Sequence, residues 1–127
     1  MATADTRHTV LVVDDEQAIR LVCRVNLELD GYRVLEAGGL AEARRLLDDE
    51  PVEVVLLDLN LGAERTDDLL EELRRRTPPV PVALVTGSPD ATRMERPEAD
   101  AVLAKPFDLV ELADTVRRLT DLTAAER

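Results

Sequence analysis

Val52-Glu53-Val54-Val55-Leu56-Leu57-Asp58 is the stretch of sequence that decides the fold. It is short, branched and largely apolar, it follows Pro51 and it ends in a carboxylate, so it predicts a buried β-strand with Asp58 at its C-terminal end. Three other apolar runs end similarly: residues 10–13 lead into Asp14 and Asp15, residues 82–85 into Thr86, and residues 101–104 into Lys105. If these strands are parallel, their polar ends meet at the sheet edge where open α/β folds bind ligands.

The rest of the chain alternates predicted strands with predicted amphipathic helices. Strands are predicted over residues 9–13, 32–37, 52–58, 80–86 and 101–103. Helices are predicted over residues 16–30, 40–47, 67–76 and 109–119, with Asp67 or Asp68 capping the third and Asp108 the last. Residues 87–100 leave room for only about two turns of helix between Pro89 and Pro97. This order predicts an α/β fold with a five-stranded parallel sheet and helices on both faces, the fourth of five helices being short or irregular.

Length and composition limit the classes of function. The 127 residues suit one domain, with a core over residues 9–120, a frayed N-terminus over residues 1–8 and a polar tail over residues 121–127. The net charge of −11 opposes direct binding to nucleic acid or to anionic membranes. The chain has no signal-peptide pattern and no apolar stretch near the roughly 18 residues of a membrane span, so we expect a cytoplasmic protein without membrane contact.

Two residues occur once each in the sequence and in informative places. Cys23 lies among apolar residues at helical spacing, so it is predicted to be a buried reduced thiol. Lys105 is the only lysine, and the other fifteen basic residues are arginines. Because a flexible point charge differs physically from a planar guanidinium, Lys105 is a candidate functional residue on composition alone.

The polar strand ends form a chemically coherent set. Asp14, Asp15 and Asp58 would repel one another at one sheet edge unless a cation lay between them, and carboxylates with open water positions suit Mg²⁺. Lys105 and Thr86 supply a charge and a hydroxyl for phosphoryl oxygens, which makes an aspartate there a candidate nucleophile. Each feature alone has an ordinary structural explanation as a helix cap, a turn or a local hydrogen bond. Their occurrence at successive strand ends favours phosphoryl chemistry.

With these residues, the chain resembles the receiver domain of two-component response regulators over about residues 9–120. The matching motifs are residues 10–16 (VLVVDDE), 54–59 (VVLLDL), 84–87 (LVTG) and 103–107 (LAKPF). The resemblance implies a flavodoxin-like, doubly wound sheet and a bacterial signalling domain. It further implies that a histidine kinase or phosphotransfer protein donates a phosphoryl group to Asp58. Such a domain is not an enzyme, beyond self-phosphorylation and self-dephosphorylation.

The resemblance also implies a role for each polar side chain. Asp15 and Asp58 would ligate Mg²⁺ directly, Asp14 would act through water, and the backbone carbonyl of Asn60 would complete the protein ligands. A metal cofactor is therefore part of the prediction.

On the phosphoryl side, the resemblance implies that Thr86 bonds a phosphoryl oxygen and that Lys105 pairs with it. The peptide between Lys105 and Pro106 would be cis, a conformation nearly confined to bonds before proline. Val102 departs from the family pattern, because receivers usually place Tyr or Phe as a switch residue three positions before the lysine. With the proline-rich segment at 87–100 and a loop at 62–68 that lacks the family's proline and glycine, Val102 predicts an atypical output face.

Three functions stay open at this point. The first is a phosphorylated receiver that relays a conformational signal to a downstream protein or to an output domain outside this chain. The second is a constitutive protein-interaction module in which phosphorylation has little part, which Val102 suggests. The third is an aspartate-nucleophile phosphohydrolase, but such enzymes carry a second acid two residues after the nucleophile, where this chain has Asn60.

Overall fold

Five parallel strands make one sheet in the computed structural model of the protein, which describes residues 7–61, 66–87 and 99–125. The strands are β1 (Thr9–Val13), β2 (Arg33–Ala37), β3 (Val54–Asp58), β4 (Val82–Thr86) and β5 (Ala101–Ala104). The helices are α1 (Gln17–Leu29), α2 (Leu40–Asp49), α3 (Thr66–Arg75) and α4 (Leu109–Ala125). Across the sheet the strand order is β2-β1-β3-β4-β5. The predicted flavodoxin-like, doubly wound α/β fold is therefore confirmed.

Side chains on the two faces of the sheet enter two separate hydrophobic cores, because successive residues of a strand point to opposite faces. Leu11 and Leu57 belong to the core that also contains α2 and α3, whereas Val10 and Leu56 belong to the core with α1 and α4. The central strands β1, β3 and β4 are buried along their whole length. The sheet is thus covered on both faces, and the C-terminal ends of its strands supply the polar edge.

The end of α1 has a backbone arrangement that requires glycine. The N–H of Gly31 donates to the Glu28 carbonyl, and the N–H of Tyr32 donates to the Leu27 carbonyl. This pair of bonds is a Schellman motif, in which the residue after the cap is left-handed, and Gly31 has φ of +94°. Tyr32, predicted in β2, therefore belongs to the end of the helix, and β2 begins one residue later.

Two other strands also begin later than predicted because their first residues bond elsewhere. The N–H of Val80 donates to the Leu73 carbonyl at the end of α3, so β4 begins at Val82. The N–H of Val52 donates to the Glu50 carbonyl in a tight turn, so β3 begins only at residue 54. Turn geometry before each strand, which apolar character alone does not reveal, decides these boundaries.

The ends of the later helices differ in part from the prediction. Asp67 and Asp68 lie within the first turn of α3 instead of capping it, although acidic residues there still face the positive end of the helix dipole. Asp108 caps α4 as predicted, because its Oδ1 accepts the N–H of Glu111 at 2.7 Å. α4 continues to Ala125, past the predicted core limit at residue 120.

No helix within the described ranges is both long enough and apolar enough to cross a membrane.

Several parts of the sequence prediction lie wholly or partly outside the described residues. The weak helix predicted between Pro89 and Pro97 lies wholly outside them, as do residues 1–6 of the predicted frayed N-terminus. His8, which was also assigned to that terminus, is instead attached to the fold. Its Nδ1 lies 2.5 Å from Oε2 of Glu53, and its carbonyl accepts the N–H of Arg33. The start of β1 is therefore joined to both neighbouring strands.

Candidate functional site

The registers of the parallel strands bring the predicted residues to one edge of the sheet. Val13 of β1 lies opposite Leu57 of β3, so Asp14 and Asp58 follow at the same level on neighbouring strands. Lys105 follows the end of β5 in the same way. The convergence inferred from the four strand ends thus occurs in the structure.

Asp14 is buried and held at each of its polar groups. Its backbone N–H donates to the Ala37 carbonyl at 3.0 Å, and its Oδ1 accepts the N–H of Glu16 at 2.8 Å. Its carbonyl accepts a hydrogen bond from Nη1 of Arg20 at 2.6 Å, and its Oδ2 accepts one from Nζ of Lys105 at 3.0 Å. The Asp14 carboxylate therefore has a fixed orientation, with its backbone held by β2 and α1.

Asp58 ends the central strand, and only 4% of its surface is exposed. Its Oδ1 accepts the N–H of Asn60 at 3.0 Å, and its Oδ2 lies 3.5 Å from Nζ of Lys105. Burial raises the pKa of the Asp58 carboxyl and the charge of Asp14 adds to this, while the Asn60 N–H and Lys105 act in the opposite direction. Thr66 Oγ1 donates to the Asp58 carbonyl at 3.2 Å, which holds the strand end in place.

Lys105 joins the carboxylates of the site. Its Nζ lies 3.0 Å from Asp14, 3.5 Å from Asp58 and 3.8 Å from the Oε1 of Glu16. Burial acts to lower the pKa of Lys105, but the hydrogen bond to Asp14 and the surrounding negative charges raise it overall. The ammonium group is therefore held in its charged form. The peptide between Lys105 and Pro106 is cis, as the resemblance implied.

Thr86 lies beside Asp58 at the end of β4. Asn60 lies in the loop that follows β3. Asp58 lies opposite Val85 in the sheet, so Thr86 is one residue beyond it at the same edge. Thr86 is 1% exposed, and its carbonyl accepts the N–H of Lys105 at 2.7 Å. Asn60 is exposed, and its N–H is already directed at Asp58.

A group of three carboxylates offers oxygen ligands for a metal ion. One carboxylate oxygen from each of Asp14, Asp15 and Glu16 lies within 4.8 Å of the other two. Asp58 is not in this group, but it shares Lys105 with Asp14. An all-oxygen donor set with a net negative charge fits a hard divalent cation such as Mg²⁺.

Sequence reasoning missed three contributors to this edge. The sequence places Glu16 in the motif at residues 10–16 and at the start of α1 but does not predict it as a metal ligand, although its position directly after the aspartate pair is a usable signal. Arg20 and Thr66 act on backbone carbonyls of Asp14 and Asp58. No pattern in the sequence identifies such contacts, because every residue has a backbone carbonyl and the residue type does not show which carbonyl will accept the bond.

An apolar surface adjoins the site. An open depression of about 330 Å³ beside Lys105 is lined by Glu16, Ile19, Val22, Lys105, Pro106 and Phe107. Large apolar side chains are exposed on the two nearby helices: Leu21, Val22, Val25 and Leu29 on α1, and Leu109, Val110 and Leu122 on α4. Of these, Val22 lines the depression together with Ile19, Pro106 and Phe107, and a contiguous apolar surface of this kind is typical of a protein-interaction site.

The unusual residue Val102 is half-buried in β5 and packs against the core of α2 and α3. Its side chain is thus part of the sheet packing, and no aromatic ring occupies that position. Of the two other segments of the predicted atypical face, 62–68 and 87–100, residues 62–65 and 88–98 lie outside the described part of the chain.

Comparison with known proteins gives one consistent result. The family model of the response regulator receiver domain matches residues 10–117. A putative transcriptional regulator of Haloferax volcanii is 41% identical over 111 residues, which cover 87% of this chain and 19% of that protein. The transcriptional regulatory protein KdpE of Mycobacterium tuberculosis is 36% identical over 124 residues, covering 93% of this chain and 55% of KdpE. The chain thus spans from about a fifth to just over half the length of these relatives.

Solved structures agree with the sequence comparisons. A CheY-like receiver domain protein of Methanospirillum hungatei is 26% identical with a TM-score of 0.85, covering 96% of this chain and 100% of that one. The receiver domain of an HD domain-containing protein of Pseudomonas fluorescens is 27% identical with a TM-score of 0.86, covering 100% and 96% respectively. Both chains share the fold over nearly the whole of their lengths.

Proposed function

The chain belongs to the response regulator receiver domain family, and from that premise we propose that Asp58 is its phosphoacceptor. The observation that carries the proposal is the position of Asp58, which is buried at the end of the central strand with Lys105 at 3.5 Å. Its other oxygen accepts the Asn60 N–H, so the carboxylate is oriented. We further propose that the 127 residues form a single receiver domain.

The proposed step is transfer of a phosphoryl group from a partner's phosphohistidine. A carboxylate oxygen of Asp58 forms a bond to phosphorus while the bond from phosphorus to the histidine nitrogen breaks, and the electron pair of that bond stays on the imidazole. Lys105 neutralises negative charge on the phosphoryl oxygens, and Thr86 donates a hydrogen bond to one of them. In self-phosphorylation, the Asp58 oxygen bonds to the phosphorus of a small acyl phosphate, and the donor's carboxylate leaves with the electron pair of the broken bond. In self-dephosphorylation, a water oxygen bonds to phosphorus while the bond from phosphorus to Asp58 breaks, so the carboxylate is restored and inorganic phosphate leaves.

Mg²⁺ is the proposed cofactor. Asp15 and Asp58 would ligate it directly, Asp14 through water, and the Asn60 carbonyl would complete the protein ligands. The three clustered carboxylates Asp14, Asp15 and Glu16 support a divalent cation at this edge, because they supply only oxygen donors and an excess of negative charge. Asp58 is linked to Asp14 through Lys105, which lies 3.5 Å from Asp58 and 3.0 Å from Asp14. When bound, the ion would offset the charge of the transferred group.

We propose protein partners on both sides of the signal. The donor is a histidine kinase or a phosphotransfer protein, and the exposed apolar face beside Lys105 supports docking of a protein at the site. The target of the signal is a downstream protein or an output domain outside these residues.

The net charge of −11 argues against DNA binding by this domain itself, although several relatives are named as transcriptional regulators. The single buried cysteine is consistent with a cytoplasmic location.

A second candidate function is a constitutive interaction module, and the packing of Val102 favours it. A valine held against the core of α2 and α3 has no ring to move when Thr86 engages a phosphoryl group. Comparison of amide chemical shifts with and without beryllofluoride, a phosphoryl mimic, separates the two candidates. Changes that reach β5 and α4 indicate a switch, whereas changes confined to the site indicate a module.

Intact mass spectrometry tests the phosphoacceptor. The protein is incubated with acetyl phosphate and Mg²⁺, beside Asp58→Asn and beside a sample containing a chelator. We expect a gain of one phosphoryl group that requires the metal and is lost in the variant. Asp121→Asn, at an exposed position of α4, is the matched control and should gain the group like the parent. Equal labelling of Asp58→Asn would refute the assignment.

A further inference from the structure

We propose that Arg20 is a positioning residue that sets the affinity of the site for Mg²⁺ by fixing the peptide between Asp14 and Asp15. This inference rests on the proposed function, because it concerns the same site. Arg20 lies on α1 and touches the backbone of the acidic pair, so it acts through the proposed ligands and does not bind the ion itself.

The guanidinium of Arg20 makes two hydrogen bonds in different directions. Nη1 donates to the Asp14 carbonyl at 2.6 Å, and Nε donates to Oε1 of Glu36 on β2 at 3.2 Å. The side chain is 18% exposed, so the fork is largely shielded from water. A planar guanidinium has donors fixed in such a fork, whereas an ammonium does not.

The Asp14 carbonyl is a sensitive point for the site. It belongs to the peptide that leads into Asp15, so its orientation sets the direction in which the Asp15 side chain leaves the backbone. On the other side, the Asp14 N–H is held by the Ala37 carbonyl of β2 at 3.0 Å. Both backbone polar groups of Asp14, its N–H and its carbonyl, are therefore hydrogen-bonded in the turn after β1. Arg20 makes one of these two bonds. Groups that orient metal ligands typically change metal affinity by 10- to 100-fold when removed.

Arg24 gives a matched control one helical turn further along α1. Its Nη1 donates to the other oxygen of Glu36 at 3.1 Å, and its Nε donates to Glu28 at 3.4 Å. It thus shares the Glu36 partner and the charge of Arg20, but its hydrogen bonds go to side chains and not to the Asp14 carbonyl. Substitution by lysine keeps the positive charge at either position. A difference in Mg²⁺ affinity between Arg20→Lys and Arg24→Lys therefore reports the hydrogen bond to the Asp14 carbonyl and not a change in electrostatic repulsion of the cation.

The experiment is a Mg²⁺ titration of the parent, Arg20→Lys and Arg24→Lys, followed by backbone amide chemical shifts. The spectra also report that each variant is folded. We expect Arg20→Lys to weaken Mg²⁺ binding on the order of 10-fold, with altered metal-free shifts at Asp15 and Glu16. Arg24→Lys should stay within about twofold of the parent. A role in stability alone would change the urea midpoint without changing the dissociation constant for Mg²⁺.

A second readout uses acetyl phosphate labelling at varied Mg²⁺. Arg20→Lys should raise the half-saturating Mg²⁺ concentration by the same factor and leave the rate at saturation near that of the parent. If Arg20→Lys binds Mg²⁺ as tightly as Arg24→Lys, the inference is wrong and the proposed function stands. If the parent itself shows no site-specific Mg²⁺ shifts, the proposed metal site fails, and this inference fails with it.

Discussion

At the scale of single residues, burial and charge repulsion act together on the Asp58 carboxyl. Burial raises its pKa, and the charge of Asp14 raises it further. A group whose pKa is raised by folding contributes most stability below its ordinary pKa, and that contribution is lost as the pH rises through the raised value. At a pH above its ordinary value, the raised pKa of Asp58 therefore costs the fold stability, as expected of a site that needs a cation.

The first prediction is that Asp58→Asn stabilises the metal-free protein. Asparagine keeps an oxygen for the Asn60 N–H and removes the charge that repels Asp14, so we expect the thermal midpoint at pH 7 to rise by a few degrees. The gain should shrink as the pH falls towards the ordinary carboxyl pKa. Thermal unfolding by circular dichroism measures it.

Two comparisons make this first prediction specific. Asp121→Asn, which neutralises an exposed aspartate, should leave the midpoint nearly unchanged. Addition of Mg²⁺ should stabilise the parent more than Asp58→Asn, because binding to the folded state shifts the equilibrium towards it. A lower midpoint for Asp58→Asn at pH 7 without metal would contradict the argument.

The second prediction concerns the thiol of Cys23, which is 2% exposed in the core under α1. Burial raises its pKa to about 11 from an ordinary value of 9.0, the charge of Asp14 adds to this, and Lys105 opposes it. Because the thiolate is the reactive form, reaction with iodoacetamide at pH 8 should be at least about 100-fold slower than in the unfolded chain. Mass spectrometry with and without denaturant measures the ratio.

The same pKa shift has a consequence for stability at high pH. Between pH 9.0 and about 11 the unfolded chain releases the Cys23 proton while the folded chain keeps it, so stability should fall over this range. Cys23→Ala, although less stable at pH 8, should lose less stability from pH 8 to pH 11 than the parent. Rapid labelling of the folded parent at pH 8 would show instead that the thiol is accessible.

At the scale of elements, the ends of helices and strands depend on a few backbone bonds. The Schellman motif after α1 turns the chain directly into β2, the edge strand whose Ala37 and Glu36 hold the Asp14 turn. Gly31 makes this possible because an L-residue with a side chain is disfavoured at φ of +94°. The end of α1 therefore also influences how β2 meets the site.

The third prediction is that Gly31→Ala destabilises the protein by about 1 kcal/mol. A Cβ at this position would meet no atom within 4 Å, so the cost comes from the backbone conformation and not from a clash. Gly87→Ala is the control, since Gly87 is outside the left-handed region and a Cβ there also meets nothing within 4 Å. Urea unfolding of both variants measures the difference, and equal stabilities would contradict the prediction.

At the scale of the whole molecule, negative charge is in large excess. The chain has 27 acidic and 16 basic residues, and many of the arginines pair with carboxylates on the surface, as in the Arg44–Glu72 pair at 2.7 Å. Exposed pairs of this kind contribute little to stability. The remaining repulsion acts on the folded chain more than on the expanded unfolded chain, so the net charge destabilises the fold.

The fourth prediction is that NaCl raises the thermal midpoint. Raising the salt from about 20 mM to about 300 mM shortens the screening length to well below the size of the domain, which weakens the overall repulsion. We expect a gain of several degrees without Mg²⁺. If Asp58→Asn shows the same gain, the repulsion is distributed over the molecule, whereas loss of the gain would locate it in the site. A midpoint that falls with salt would mean that the surface ion pairs dominate.

The sequence alone predicted the sheet, its helices and the residues that converge at its edge. Short apolar runs that end in Asp14, Asp58, Thr86 and Lys105 are a local signal, because a buried parallel strand must be apolar along its length and polar where it leaves the sheet. Alternation of such runs with amphipathic helices then permits few topologies. Helix caps at a recognisable residue, such as Asp108, were also predictable, since the side chain itself makes the bond.

Only the tertiary structure decided the contacts made through the backbone and between distant segments. The late starts of β3 and β4, the attachment of His8 to Glu53, and the hydrogen bonds of Arg20 and Thr66 to carbonyls depend on chain geometry. Every residue has the same carbonyl and N–H, so residue identity does not specify which partner each will meet. The sequence therefore determined which chemical groups reach the site, and the packing of the folded chain determined how they are held there.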